Sequence, residues 1–209
     1  MEQYLTIKEG IEHETIIDKS RFITIIKRAT TEAEAQAFIQ SIKKKHYNAT
    51  HNCSAYIVGE ERIYQKASDD GEPSGTAGMP MLEVLRKNHL TDLVVVVTRY
   101  FGGIKLGAGG LIRAYGGAVS ETLKLATIVE RKRMQVIKIT AEYSEIGLLD
   151  DRLAQYIIIN KTYLEKVYYE ILVDLESVKE FTEWFIDITN HKIPFKLTNI
   201  EIVEVDYKK

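Results

Sequence analysis

Residues 93–119 read LVVVVTRYFGGIKLGAGGLIRAYGGAV. The opening LVVVV is a β-branched run that reads as a strand buried on both faces of a sheet. Seven glycines then fall within residues 98–119, beside Arg99, Lys105 and Arg113. Glycine has the most backbone freedom to lose on folding, so a cluster of it needs a local reason. Gly102 and Gly103 supply a sharp exit from the strand. From about Gly107 the pattern turns helical, with Leu111, Tyr115, Ala118, Thr122 and Leu125 on one stripe. Gly107, Gly109 and Gly110 at the helix entrance leave backbone N–H groups uncovered at the positive end of the helix dipole, an anion-binding geometry. Lys105 and Arg113 add donors suited to phosphate. A purely structural tight turn is the competing reading, and Gly116-Gly117 read as close packing of the helix on the sheet. No nucleotide fingerprint fits. The Walker spacing from Gly102 to Gly107 meets Ala108 where lysine is required, and GxGxxG fails at Ile112.

Working outward, strands are predicted over about 3–8 and 21–28. A helix follows over 31–46, with Thr31 as N-cap and Glu34 at capping-box spacing. HNCSAYIV (51–58) and RIYQKA (62–67), separated by Gly59-Glu60-Glu61, read as a hairpin. Pro80 suits the first turn of a helix running to about Asn88. Beyond residue 134 the predicted order is strand 135–142, helix 144–156, strand 157–163, strand 166–175, helix 177–189 and strand 196–206. That βαββαβ order is the ferredoxin-like layout, with an antiparallel sheet. In the last strand Ile200 and Ile202 are expected inward, with Val203 and Val205 against another surface.

The chain has 209 residues, 45% hydrophobic and 28% charged, which is ordinary globular composition. Net charge is −2, unevenly spread. Residues 1–133 carry 19 Lys+Arg against 16 Asp+Glu (+3), and residues 134–209 carry 9 against 14 (−5). Twelve of thirteen glycines precede residue 133. Two domains are therefore expected, 1–133 and 134–209, joined at an exposed ERKRM segment. No apolar run reaches the roughly 20 residues needed to span a bilayer. The N-terminal MEQYLTIKEGIEHE lacks a signal-peptide layout. Cys53 is the single cysteine, so no intramolecular disulfide forms, and a cytoplasmic location is expected.

A second dense stretch, SDDGEPSGTAG (68–78), places Asp69, Asp70, Glu72, Ser74 and Thr76 within eight residues. One reading is a rim that binds a divalent ion or a ligand's ribose or phosphate. The other, which is favoured, is a turn followed by a helix cap from Thr76 or Ser74. His51 and Cys53 share one face of a strand. A Cys–His nucleophile brings its partners from separate elements, zinc wants four ligands, and no GxSxG elbow exists. A half-buried strand is the default, with no metal, no cofactor and no catalytic residue expected.

The strings SRF (20–22), HNCSAY (51–56), SDDGEPSGTAGMPML (68–82) and VVVTRYFGGIKLGAGGLIRAYGGAV (95–119) resemble the YigZ/IMPACT family. The match is dense over the first half and looser over the second. It implies an α+β protein: a ribosomal protein S5 domain 2-like N-terminal domain, then a ferredoxin-like C-terminal domain. It also implies a link to control of translation, which in eukaryotic members runs through an amino-acid-starvation kinase pathway. Those members carry an additional N-terminal interaction domain, so binding to their activator is not carried over. The leading functional expectation is a non-enzymatic regulator that binds RNA or the ribosome. Arg99, Lys105 and Arg113 would hold backbone phosphates, around Gly103 and the helix-entrance glycines, while Tyr100, Phe101 and Tyr115 stack on bases. The modest +3 of the first domain requires a local patch with salt-sensitive affinity. The acidic second domain would face away from the nucleic acid or meet a protein partner. The alternative is an enzyme or sensor for a small phosphorylated metabolite or nucleotide, with Asp69, Asp70 or Glu72 holding Mg²⁺. A closed pocket joining the two loops favours the metabolite, and an open groove with exposed aromatics favours RNA.

Overall fold

The LVVVV run forms the centre of a sheet in the computed structural model, which describes residues 3–59 and 64–207. The described elements are β1 (Gln3–Ile7), β2 (Ile11–Ile17), β3 (Ser20–Arg28), α1 (Glu32–Lys45), β4 (His51–Val58), β5 (Tyr64–Ser68), α2 (Gly78–Lys87), β6 (Leu93–Tyr100), α3 (Gly107–Leu125) and β7 (Ile128–Ala141). They continue as α4 (Ile146–Arg152), β8 (Ile157–Tyr163), β9 (Val167–Asp174), α5 (Val178–Ile188) and β10 (Phe195–Asp206). The chain divides into two compact units, one holding Gln3–Arg131 and the chain from Val205 onward, the other Lys132–Glu204.

In the first unit the sheet order is β2-β3-β6-β4-β5, with every pair antiparallel. Because side chains alternate along β6, its two faces feed different layers. Val95 and Val97 join Phe22, Cys53, Ala55 and Ile57 under α2 and α3, through Met81, Leu85, Tyr115 and Val119. Val94 and Val96 face α1 through Phe38, Ile39 and Ile42. One helix therefore covers one face of the sheet and two cover the other. Helix α1 starts as its sequence predicts: Thr31 Oγ1 accepts from the Glu34 N–H at 3.2 Å. The reciprocal bond goes one residue further back, from the Thr30 N–H to Glu34 Oε2 at 2.8 Å.

In the second unit β7, α4, β8, β9, α5 and β10 follow the βαββαβ order, with strands arranged β8-β9-β7-β10. β9 runs antiparallel to both β7 and β8. Ile137, Ile139, Tyr169 and Ile171 pack with Leu149, Leu153, Phe181 and Phe185 from the helices. The α+β class is as expected, with the S5 domain 2-like first unit and the ferredoxin-like second.

Several local expectations are corrected. IEHETII, outside the predicted strands, is strand β2, paired to β3 through a two-residue turn at Asp18 and Lys19, both at positive φ (45° and 63°). The ERKRM segment is no exposed link; it lies inside the fourteen-residue strand β7. Leu125 leaves the buried stripe of α3 and is 61% exposed. In β10, Ile200 and Ile202 are exposed, while Val203 and Val205 are half-buried, the reverse of the inward assignment made for the isoleucines. Gly116 faces Pro80 and Val84 of α2, not the sheet, and Gly117 faces open space. The expected turn at Gly59-Glu60-Glu61 lies largely outside the described residues.

Candidate functional site: a buried ion pair beneath the glycine rim

Strand alternation separates two residues that the sequence reading joined. Arg99 points to the α2/α3 side of β6, whereas Tyr100 points to the α1 side, where its hydroxyl meets His46 Nδ1 at 2.9 Å. The Arg21 guanidinium lies over the Tyr100 ring. Tyr100 is thus not part of a stacking surface with Phe101.

Arg99 is only 4% exposed, and its charge is met inside the protein. Nη1 donates to Glu72 Oε1 at 2.7 Å, and the Tyr115 hydroxyl donates to the same oxygen at 2.8 Å. Glu72 Oε2 faces His51 Nε2 at 3.8 Å. Arg99 Nη2 reaches Ser20 Oγ at 3.4 Å, and Arg99 Nε is buried without a partner. The guanidinium carbon lies over the rings of both Phe22 (5.4 Å) and Phe101 (5.5 Å). Phe101 itself is 46% exposed. Arg99 is therefore a post that supports one face of the Phe101 ring, held in turn by Glu72.

The glycines separate into distinct jobs. A Cβ at Gly102 would sit 2.0 Å from the Lys19 carbonyl carbon, so the loop presses directly on the β2–β3 turn. Gly107 enters α3 at φ +70°. Gly109 lies inside the helix with the Arg113 Nη1 atom nearby. No side chain caps the N-terminus of α3. Lys105 and Arg113, both exposed, flank that uncovered turn. A cavity of about 240 Å³ connects the stretches, bounded by Glu72 and Pro73 on one side and by Arg99, Phe101, Lys105 and Gly107 on the other. Tyr115 is fully buried, edge-on to Phe22 at 5.3 Å, so no base reaches its ring.

The acidic loop is mostly committed internally. Asp69 Oδ1 accepts from the N–H groups of Ala77 (3.0 Å) and Gly78 (2.8 Å), and Oδ2 from Gly75 (2.8 Å). It thereby caps α2 from eight and nine residues upstream, a role assigned above to Thr76 or Ser74. Burial works to raise the Asp69 pKa, but the three backbone donors outweigh it and hold the carboxyl below its usual range. Asp70 binds Lys43 Nζ at 2.5 Å and the Asn52 N–H at 2.7 Å. Thr76 donates to the Pro73 carbonyl at 2.7 Å, and Ser74 is exposed. Among the described residues no group of three or more His, Cys, Asp or Glu could hold a metal ion.

His51 and Cys53 tie this loop to β4. His51 Nδ1 lies 2.9 Å from the Asp70 carbonyl oxygen, and the Cys53 thiol donates to the Asp69 carbonyl at 3.0 Å. Burial pushes the Cys53 thiol up to about 12, so a thiolate nucleophile is not available. Sequence reading missed Ser20 and Phe22 as members of the cluster. Their only signal was the SRF string, with nothing in its spacing to link it to Arg99.

Comparison with known proteins matches the same regions. Residues 18–123 match the Impact N-terminal domain, and residues 139–192 a domain of unknown function, DUF1949. IMPACT family member YvyE of Bacillus subtilis is 52% identical over 206 residues, covering 98% of this chain and 95% of the relative. IMPACT family member YigZ of Escherichia coli is 36% identical over 177 residues, covering 83% of this chain and 87% of the relative. A crystal structure of a hypothetical protein superposes with a TM-score of 0.60 at 32% identity, covering 95% of this chain and 98% of that one. The chain belongs to the IMPACT family.

Proposed function

We propose that this protein is a translation-related regulator that binds single-stranded RNA on the rim formed by Phe101, Lys105, the first turn of α3 and Arg113. The observation that carries the reading is the exposed Phe101 ring, backed on one face by the buried Arg99 guanidinium. A base can stack on its open face, a contact that tolerates any sequence. The uncapped N-terminus of α3, with Lys105 and Arg113 beside it, supplies donors to the adjoining phosphates. Family membership supports the link to translation, in keeping with the resemblance drawn from the sequence. The location in the cytoplasm is part of the same proposal; no described helix is long and apolar enough to cross a membrane. The acidic Lys132–Glu204 unit is proposed to meet a protein partner.

The test is fluorescence anisotropy of a labelled single-stranded RNA across a salt series. Phe101→Ala is expected to weaken binding by about 1–3 kcal/mol, the worth of one stacked base. Arg113→Ala is expected to reduce the salt slope by about 0.7. Unchanged binding in both variants overturns the proposal. The cavity of about 240 Å³ between the two loops favours a second reading, a phosphorylated small molecule. That reading predicts saturation by a mononucleotide with shallow salt dependence.

A further inference from the structure

Helix α1 packs over β3, β6 and β4, and the five-stranded sheet extends one strand beyond it on each side, β2 and β5. A helix is about 10 Å across and strands are about 4.8 Å apart, so one helix cannot shelter the edge strands as well. One uncovered strip is the α1-side face of β5. Register places Lys66 opposite Tyr56 and Ser68 opposite Ser54 on that face. The flank of α1 and this strip enclose a second cavity of about 270 Å³, whose lining includes Ile39, Gln40, Lys43, Ser54, Lys66 and Ser68.

Ser54 is the informative member. It is 4% exposed, yet its hydroxyl makes no hydrogen bond with any described residue and is not sealed from solvent. A hydroxyl that opens to a cleft and is not claimed by the fold is free to donate to a ligand there. The surrounding chemistry names the class of that ligand. Lys43 is held at the cavity by Asp70, which binds it at 2.5 Å. Lys66 forms no ion pair among the described residues and feels the Glu32 carboxylate, which is itself engaged by the Tyr56 hydroxyl and the Gln36 amide. No carboxylate lines the cavity, whereas hydroxyl, amide and ammonium donors do.

We propose that this cleft between α1 and β5 binds a small phosphate-bearing anion, with Ser54 and Lys66 as its principal donors and Ile39 against its carbon body. The volume is just below the ~300–1,000 Å³ of drug-sized ligand sites, which restricts the occupant to a small metabolite. Lysine suits phosphate as a point charge, without the fork geometry of arginine. The site lies apart from the glycine rim and stands or falls independently of RNA binding there.

The experiment is a two-dimensional amide NMR titration of the full chain with inorganic phosphate and with glycerol 3-phosphate, at constant ionic strength. Saturable shifts are expected at Gln40, Lys43, Ser54, Lys66 and Ser68, tighter for the monoester than for inorganic phosphate. Lys66→Gln, an exposed position that leaves the fold intact, should weaken binding at least fivefold. Ser54→Ala should weaken it too while leaving the thermal midpoint unchanged, because the hydroxyl it removes has no partner to lose. Linear, non-saturating shifts overturn the proposal, as do shifts centred on residues 107–113, or binding indifferent to Lys66→Gln.

Discussion

The acidic loop 68–78 and the glycine-rich loop 101–113 look like two halves of one reactive site, yet their side chains behave in opposite ways. The acidic loop turns its chemistry inward: Asp69 caps α2, Asp70 holds Lys43 and Asn52, and Glu72 neutralises Arg99. In the glycine loop the cations Lys105 and Arg113 and the ring of Phe101 remain exposed. Dense carboxylates therefore serve as scaffolding in this protein, whereas the sparse cations among the glycines stay at the surface. Removing acids should damage the fold, whereas removing the outer cations should damage only binding.

The largest effect is expected for Glu72→Ala. It strands the Arg99 charge in the interior, which typically costs about 3–5 kcal/mol. Chemical denaturation checks this, and RNA affinity should fall as well, because Phe101 loses its support. Gly102→Ala comes next, at about 3 kcal/mol, because its methyl would meet the Lys19 backbone rather than a movable side chain. Gly107→Ala, with open space but a positive φ, should cost only about 1–2 kcal/mol in the same assay.

Asp69→Asn is expected to cost about 1–2 kcal/mol through the weakened cap. The Asp69 carboxyl titrates below its ordinary value in the folded state, so its contribution is full above that ordinary value, about 3.9, and is lost as pH falls from there through the lower folded value. A pH series of unfolding midpoints should show a shallower acid-side decline in the variant. His46 provides a smaller test on the α1 side. Burial, helped by Lys45, lowers its pKa, so the unfolded chain takes up the proton first. Stability should therefore decline as pH drops below about 6.5, and His46→Gln should lessen that decline. Smallest of all, Lys105→Ala should change stability by less than about 0.5 kcal/mol while weakening RNA binding. A loss of stability comparable to that of Asp69→Asn would break the contrast between the loops.

Much of the architecture was legible because local chemistry and tertiary packing agree. Thr31 and Glu34 announce α1, the LVVVV run announces the central strand, and the alternating blocks after residue 134 yield the βαββαβ order. Strand β2 escaped notice because its turn, Asp18-Lys19, adopts positive φ without the glycine or asparagine that signals such a hairpin. β7 was cut short because ERKR reads as a polar break, although charged residues occupy strands wherever one face is open. The site was legible in membership more than in role. Period-two alternation alone would have placed Tyr100 and Phe101 on opposite faces, but the link from Glu72 to Arg99 joins residues 27 apart and belongs to the tertiary fold.

The Cys53 thiol, bonded to the Asp69 carbonyl beneath the acidic loop, makes the molecule its own stopwatch. Alkylating reagents attack a thiolate, and this sulfur can present one only while the loop lifts away and the thiol returns to an ordinary acidity. With one cysteine in the chain, its modification rate reports the openings that expose this one sulfur, the lifting of the loop together with any wider unfolding of the core around it. Partners that clamp the loop would slow the clock, and those that pry it loose would speed it.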